Sequence, residues 1–272
     1  MKTSLLGLAT LGCAVALCGL MLAPTPGLQA HTVTSYGGTG RAMVPAAAQA
    51  FLARHDLKTL WLPVKAEGEW GGYEGPEPVQ NGFFGADHYR IEFALLSVVR
   101  DAKQPQLYHV KGKNRYKGRI TPFSGTITIT KVYQNPPAKD VNDQPVPQYT
   151  VVGPFELRED ATTPGSGTFK GTVAADVTVW NDGRVELDVQ PNTAAANCGY
   201  KFSGQWVSAR TGQVKPVLWG DNLNAVSRQL FSDFMVGERM PHVNPKYAKL
   251  GWNRIWDNDE WWAETPANAT AL

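Results

Sequence analysis

The sharpest chemical feature of the sequence is a run of basic residues at alternate positions. A histidine precedes five cations in the same alternation: His109, Lys111, Lys113, Arg115, Lys117 and Arg119. If the segment stays extended, these side chains share one strand face and the cations span about 27 Å. Such a face could bind the phosphate, sulfate or uronate groups of an envelope polyanion. A wetted outer strand face whose charges discourage edge pairing would produce the same pattern.

A second candidate set lies upstream and also alternates. His88, Arg90 and Glu92 share one strand parity, and a hairpin would place them beside His109. A His–Glu pair can act as a general base with its orienting group, or as two metal ligands. No nucleophile or third ligand accompanies the pair. An exposed cross-strand ion pair is therefore the competing interpretation.

Tryptophans are concentrated near the C-terminus. Within 11 residues the chain places Trp252, Trp256, Trp261 and Trp262 among carboxylates. Exposed indoles stack on sugar rings, so the cluster could form a glycan-binding platform. Tryptophan is also highly buried on average, and we favour a tail that packs against the sheet.

Other reactive groups in the sequence carry little chemistry. Asp257-Asn258-Asp259 is similar to the start of a calcium loop, but Trp262 stands where the loop requires glycine. Cys198 lies between Asn197 and Gly199 without a nearby histidine, which indicates a buried or inert thiol. The chain has no Gly-x-Ser-x-Gly, His-Glu-x-x-His, P-loop or Cys-x-x-Cys motif. We predict no cofactor, no metal and no catalytic residue.

The N-terminus is typical of an export signal. Lys2 precedes an apolar run from Leu5 to Leu22, and prolines and Ala30 follow. The 18-residue run could also anchor the chain in a membrane, but the prolines favour cleavage, and we predict a signal peptide at residues 1–30. The residues before Cys13 and Cys18 fit a lipoprotein site poorly, so we expect no lipid anchor. The predicted location is the periplasm or the extracellular space.

Cleavage leaves a nearly neutral chain of moderate size. It removes 30 of 272 residues, including Lys2, and leaves 25 basic and 24 acidic residues. A single thiol then remains, so no intrachain disulfide can form. The balance of charge excludes a strongly basic nucleic-acid binder, and we predict no nucleic-acid partner and no membrane span after cleavage. The sequence does not determine the oligomeric state.

The mature chain divides into segments of different composition and residue pattern. Residues 31–56 form a glycine-rich arm and a short helix, Ala46 to Arg54, that Pro45 opens. We assign 57–221 to an antiparallel β domain that begins with a strand at Leu57 to Leu62 and contains a proline-rich loop at Asn135 to Gln148. Residues 222–264 form a helical, tryptophan-rich segment packed on the β domain. Residues 265–272 form a frayed tail.

Alternating apolar and polar residues dominate the β domain and indicate antiparallel strands with one buried face. The motif aromatic-x-Gly occurs eight times, about three times the chance number: Tyr36, Trp70, Tyr73, Phe83, Tyr116, Phe123, Phe169 and Phe202 begin it. A glycine lets a strand bend while the aromatic ring covers the gap. The sequence therefore predicts a mainly β fold, an antiparallel barrel or a strongly coiled sandwich, with short C-terminal helices.

The clearest single element is a hairpin from Cys198 to Asp221 that turns at Thr211-Gly212. Its motifs Phe202-x-Gly204-x-Trp206 and Trp219-Gly220-Asp221, with Gly82-Phe83-Phe84-Gly85 upstream, resemble a pattern in uncharacterised secreted β-proteins of bacteria. The resemblance covers about Gly82 to Trp252 and implies a β fold and export, with no activity and no site residues. Gly-x-Trp also occurs in lipocalins near the mature N-terminus, whereas here it lies late, so the fold is calycin-like by analogy only.

Two functions are compatible with these patterns. The first is an exported envelope module that binds a ligand, a polyanion or a glycan, or has a structural role. The alternative is a secreted hydrolase or lyase with a site around His88, Glu92 and His109. A pocket in which those three residues converge would favour the enzyme. A filled barrel that carries them on its convex face would favour the module.

Overall fold

A computed structural model describes residue 38 and residues 40–65, 73–257 and 259–263. The predicted signal peptide, most of the arm and the frayed tail lie outside the described residues. The strands are β1 Arg41–Ala42, β2 Val64–Lys65, β3 Tyr73–Glu74, β4 Gln80–Phe84, β5 Tyr89–Arg100, β6 Leu107–Tyr116, β7 Arg119–Thr128, β8 Lys131–Lys139, β9 Pro145–Glu159, β10 Gly167–Val179, β11 Val185–Leu187, β12 Tyr200–Ser208, β13 Val214–Gly220, β14 Met235–Val236 and β15 His242–Val243. The helices are α1 Pro45–Arg54, α2 Asn224–Leu230 and the 3-10 turns Lys58–Leu60, Pro245–Leu250 and Trp252–Arg254.

The main sheet is a closed antiparallel barrel with eight strand positions. The ring runs through β4, β5, β6, β7, β9, β10, β12 and β13 in that order, and β13 closes the barrel by pairing with β4. β7 and β8 share one position, because both pair with the same edge of the long strand β9. The predicted hairpin is present as β12 and β13, with Trp206 opposite Lys215. Of the two predicted architectures, the barrel is confirmed.

Aromatic side chains fill the barrel interior. The Trp219 indole lies between two phenylalanines, with ring centroids 4.6 Å from Phe202 and 4.0 Å from Phe93, and both pairs are stacked. Phe155 and Phe169 meet the same indole edge-on. These rings are all at most 3% exposed. The interior at this level is therefore a packed core.

The N-terminal helix closes one end of the barrel. Phe51 on α1 contacts Tyr149, with ring centroids 4.7 Å apart, and the Leu57 N–H donates to the Tyr108 hydroxyl at 3.0 Å. The strand predicted at Leu57 to Leu62 is wrong: the chain forms the 3-10 turn Lys58–Leu60 there. The turn buries Leu60 and Trp61 together over the barrel end, which an extended segment with alternating faces could not do.

Glycines allow the strands to approach closely where the sheet bends. Gly171 on β10 lies opposite Gly204 on β12, and a Cβ atom on Gly204 would come within 2.2 Å of the Lys170 carbonyl oxygen. At Gly112 the Phe123 ring occupies the place of the missing side chain. Gly171 and Gly204 end two of the aromatic-x-Gly motifs, so these motifs mark a place where two strands approach too closely for a side chain. The loop predicted at Asn135 to Gln148 is shorter than expected, because β8 continues to Lys139 and β9 begins at Pro145.

The C-terminal segment packs against the outside of β4 and β13. Phe83 points outward from β4 into a second apolar cluster that contains Val226, Phe234, Tyr247 and Trp252. In the segment predicted as helical, residues 222–264, the α-helix is limited to Asn224–Leu230, and two 3-10 turns follow. Asn244 caps the 3-10 turn Pro245–Leu250, since its side chain accepts from the Lys246 N–H at 3.1 Å. The segment therefore covers one side of the barrel wall and leaves a recess beside it.

Candidate functional site

A buried ion cluster lies on the outer face of β5 and β6. The Glu92 carboxylate accepts from Arg115 Nε at 2.6 Å and from Arg90 Nη2 at 2.8 Å. All three residues are at most 8% exposed. The C-terminal tail covers the cluster, because Asp259 pairs with Arg115 and the Trp261 ring lies 5.0 Å from the Arg115 guanidinium carbon. The ion pair predicted as exposed is thus a buried network that anchors the tail.

The prediction of a single basic stripe from Lys111 to Arg119 is wrong, because these side chains do not share one strand face. β6 ends at Tyr116, and a turn with positive φ at Lys117 and Gly118 leads into β7. Arg115 pairs with Ile120 and Tyr116 pairs with Arg119, so Arg119 lies on the opposite face of the sheet from Arg115. Arg115 is buried in the ion cluster.

The outer face keeps only part of the predicted stripe. Lys111 is exposed on this face, and the half-buried Lys113 donates from Nζ to the Trp262 carbonyl at 3.0 Å. Lys117 is exposed in the turn, where its ammonium lies over the rings of Tyr89 and Tyr116. His109 is exposed and pairs with Asp101 at 3.0 Å. Binding of a polyanion to the basic side chains that remain on the outer face stays a prediction.

The residues of the alternative hydrolase site do not converge. Glu92 lies opposite Arg115 near the end of β6, whereas His109 lies opposite Val99 near its beginning. His88 is in the turn before β5, where its ring packs on Phe83 and Phe231. Burial lowers its pKa. All three lie on the outer side of the barrel, whose interior is packed with aromatic rings.

A cleft of about 400 Å³ lies between the barrel wall and the C-terminal segment. This volume lies within the range of roughly 300–1,000 Å³ that small-molecule sites occupy. Its polar side chains come from the loop before β4, from β4 and β5, and from the segment after β13: Glu77, Asn81, Arg90, Glu92, Asp221, Asn222 and Asn224. The other wall belongs to the C-terminal segment and presents Met235, Ile255, Trp256, Asp257 and Trp262. We call this recess the lateral cleft.

Asp221 is the most perturbed titratable group of the lateral cleft. Burial raises the pKa of its carboxyl to about 6, although the hydrogen bond from the backbone N–H of Glu77 acts to lower it. That N–H donates to the carboxylate at 3.4 Å. At neutral pH the side chain is therefore a carboxylate, with unused lone pairs that can accept hydrogen bonds from a ligand.

The charge of the lateral cleft is negative. Glu77, Asp221 and Asp257 line it, and of these Asp257 is paired with Arg254 outside the lining. Arg90, the only cationic side chain among the lining residues, is paired with Glu92. A polyanion would be repelled from such a recess. The cleft suits uncharged or cationic ligands that offer hydrogen-bond donors.

The four clustered tryptophans have different environments. Trp252 is fully buried, and its Nε1 donates to the His88 carbonyl at 3.0 Å. Trp261 and Trp262 are half-buried and meet edge-on, with centroids 6.0 Å apart. Trp256 is 64% exposed at the rim of the lateral cleft. The packing prediction is confirmed for Trp252 and is wrong for Trp256.

The acidic residues near position 257 and the lone cysteine both have fixed surroundings. Asp257 pairs with Arg254 at 2.7 Å, and Asp259 pairs with Arg115, so both carboxylates are committed to arginines. Within the described ranges, no three histidine, cysteine or acidic side chains are grouped to hold a metal ion. Cys198 is fully buried, and burial raises the pKa of its thiol to about 11. The buried position agrees with the prediction, and the inertness of the thiol stays a prediction.

Sequence reasoning missed Glu77, Asn81 and Asp221 as site residues. Glu77 and Asp221 are separated by 144 positions, and the spacing of these residues signals no chemistry. Only Trp219-Gly220-Asp221 stood out, and it did so as part of a hairpin. The barrel closure between β13 and β4 brings Asp221 next to the loop before β4, and this contact depends on the tertiary structure.

The fold and the cleft define a class: a filled eight-stranded antiparallel barrel with a lateral recess roofed by its own C-terminal segment. Comparison with known proteins finds no matching family model, curated protein or solved structure. No helix in the described part of the chain is both long and apolar enough to cross a membrane.

Proposed function

We propose that this protein is an exported binding module that recognises a glycan in the lateral cleft. One observation carries the proposal: an exposed indole, Trp256, stands at the rim of a 400 Å³ recess whose floor is lined by carboxylates and amides. A sugar ring offers an apolar face for the indole and hydroxyl donors for the floor. The export part of the proposal rests on the N-terminal leader.

The charge of the cleft narrows the class of glycan. Asp221 and the neighbouring carboxylates accept hydrogen bonds and attract cations, while the one arginine already has a partner. Neutral sugars and amino sugars satisfy this floor. Polyuronates and sulfated glycans add negative charge to a negative recess and are disfavoured.

Affinity gel electrophoresis tests the proposal with three soluble probes: a neutral polysaccharide, a chito-oligosaccharide with free amino groups, and polygalacturonate. We expect retardation by the first or second probe and none by the third. Trp256→Ala should weaken binding at least tenfold, because stacking on an aromatic ring is lost, and should leave the melting temperature unchanged. Asp221→Asn should weaken binding of the amino sugar more than binding of the neutral one.

Trp180→Ala is the matched control, since Trp180 is a partly exposed tryptophan that does not line the cleft. It should bind as the wild type does. The proposal fails if the wild type binds none of the three probes, or if Trp256→Ala binds a retained probe with unchanged affinity.

A further inference from the structure

The open mouth of the barrel forms a second, smaller recess. It lies at the Tyr116 end of β6, whereas α1 covers the Tyr108 end of the same strand. Its volume is about 90 Å³, and its walls are inward-facing residues of the barrel. The residues that matter for its chemistry are Asn114, Arg119, Thr121, Glu159 and Lys215.

Lys215 is fixed in the mouth by aromatic rings. Its ammonium nitrogen lies 5.2 Å from the centroid of Phe84, 5.6 Å from that of Trp206 and 5.9 Å from that of Tyr116. Contacts at these distances attract the cation and restrict the flexible side chain. Among the described residues, no carboxylate pairs with this ammonium. The cation is thus held in place with its charge uncompensated by a direct partner.

Arg119 supplies a second cation to the same recess. The change of face at the β6–β7 turn directs it inward, and its guanidinium donates to the Pro164 carbonyl. No acidic side chain in the described ranges forms an ion pair with it. Its remaining N–H groups can therefore donate to an anion. Asn114 and Thr121, each 1% exposed, face each other across the two strands and add polar groups to the wall.

Glu159 is the one acidic residue in the lining, and its carboxylate is already occupied. It accepts from Asn114 Nδ2 at 2.8 Å, from the Gly167 N–H at 2.7 Å and from Trp206 Nε1 at 2.8 Å. These three donors fix the carboxylate against the wall. Two cations and one anion line the recess, which leaves it with a net positive charge.

We propose that the barrel mouth binds one oxyanion group, a phosphate, sulfate or carboxylate, between Arg119 and Lys215. The volume admits a single such group, so a larger ligand would insert only its charged end. Arg119 would bind through paired N–H donors and Lys215 as a point charge, the usual roles of these residues. The site is separate from the lateral cleft and does not depend on the glycan proposal.

Isothermal titration calorimetry with inorganic phosphate, sulfate and acetate tests the proposal at constant ionic strength, balanced with chloride so that screening is equal. We expect saturable binding of at least one of the three anions at one site per chain. The preferred anion identifies which oxyanion chemistry the mouth selects. Lys215→Met and Arg119→Gln should each weaken binding of that anion at least tenfold.

Lys111→Gln is the matched control, because it removes one positive charge from an exposed position on the outer face of β6. Its affinity should equal that of the wild type. Arg119 is exposed, so Arg119→Gln decides the question if Lys215→Met disturbs the aromatic packing; circular dichroism reports the fold of both. The absence of saturable binding, or equal affinity of Arg119→Gln and wild type, would overturn the proposal.

Discussion

Asp176 illustrates how a single residue organises an outer surface of this barrel. It points outward from β10, yet it is fully buried, because the chain after β11 folds over it. Its carboxylate accepts from the Thr150 hydroxyl at 2.7 Å and from the Thr193 hydroxyl at 2.6 Å. Thr150 in turn accepts from Asn135 Nδ2 at 2.8 Å. The network ties the segment around Thr193 to the sheet.

Burial raises the pKa of Asp176 from its ordinary value of 3.8 to about 6, despite the two hydroxyl donors. The folded protein therefore holds this proton more tightly than the unfolded chain does. The resulting stability is fully present below the unfolded pKa of 3.8 and is lost as the pH rises through about 6. A shift of this size corresponds to about 3 kcal/mol at most.

We predict that Asp176→Asn changes the pH dependence of unfolding. Between pH 7 and pH 4.5 the wild type should gain about 2 kcal/mol relative to the variant, because only the wild type takes up this proton. Urea unfolding at several pH values measures the difference. Burial lowers the pKa of His55 and His88, which opposes the trend in both proteins and cancels in the comparison.

Asp143→Asn is the control for this experiment. Asp143 is exposed and has a positive φ of 63°, a conformation that asparagine adopts readily. Its pH dependence should match that of the wild type. A constant difference between Asp176→Asn and the wild type across this pH range would show that the proton is not held by Asp176.

At the scale of elements, the C-terminal segment depends on one indole. Trp252 contacts Phe83 on β4 at a centroid distance of 4.8 Å and Phe234 at 5.0 Å. Its hydrogen bond to the His88 carbonyl adds a polar link to the turn before β5. Trp252 therefore joins the segment to the barrel wall that it covers.

We predict that Trp252→Ala lowers the free energy of unfolding by about 3–5 kcal/mol, because it leaves a large cavity in the second apolar cluster. Trp256→Ala should change it by at most about 0.5 kcal/mol, as exposed substitutions usually do. Urea denaturation of the two variants provides the comparison. Equal losses from both would contradict the different burial of the two side chains.

The β6–β7 turn determines on which face of the sheet the basic side chains lie. A straight strand would have placed Arg115 and Arg119 side by side. The turn at Lys117 and Gly118 reverses the chain and sends Arg119 to the inner face, where it reaches the barrel mouth. The residues of the predicted basic stripe are therefore divided among the outer face, the buried ion cluster and the barrel mouth.

At the scale of the whole molecule, the export proposal and the single thiol can be tested together. We predict that the protein recovered from the envelope or medium of a bacterial host has an intact mass lacking residues 1–30. Its folded form should not react with a thiol reagent at neutral pH, because Cys198 is fully buried and its thiol has a pKa of about 11. Denaturant should expose one thiol per chain.

The full-length chain supplies the control for this measurement, since it adds Cys13 and Cys18 and should give three thiols when unfolded. Recovery of exported protein that retains Met1 to Leu22 would exclude cleavage. An added diacylglycerol mass would instead indicate a lipoprotein. More than one thiol in the recovered protein would also contradict removal of the leader.

The sequence by itself determined the class of fold and the principal hairpin. Alternation of apolar and polar residues is a local property of an extended chain, so the strands around Phe93, Phe169 and Phe202 could be predicted without their partners. The aromatic-x-Gly motifs likewise indicated bending before any closure was known. Segments whose burial comes from a distant surface were assigned wrongly, as the 3-10 turn at Lys58–Leu60 shows.

Only the tertiary structure decided the candidate sites. The lateral cleft joins Asn81, Asp221 and Trp256, which lie far apart in the chain and meet because β13 closes on β4 and the C-terminal segment folds back. The barrel mouth joins Arg119 to Lys215 through the same closure. The residues of neither site have a recognisable spacing in the sequence. They are brought together by the order of the strands in the barrel and by the face of the sheet to which each side chain points after a turn.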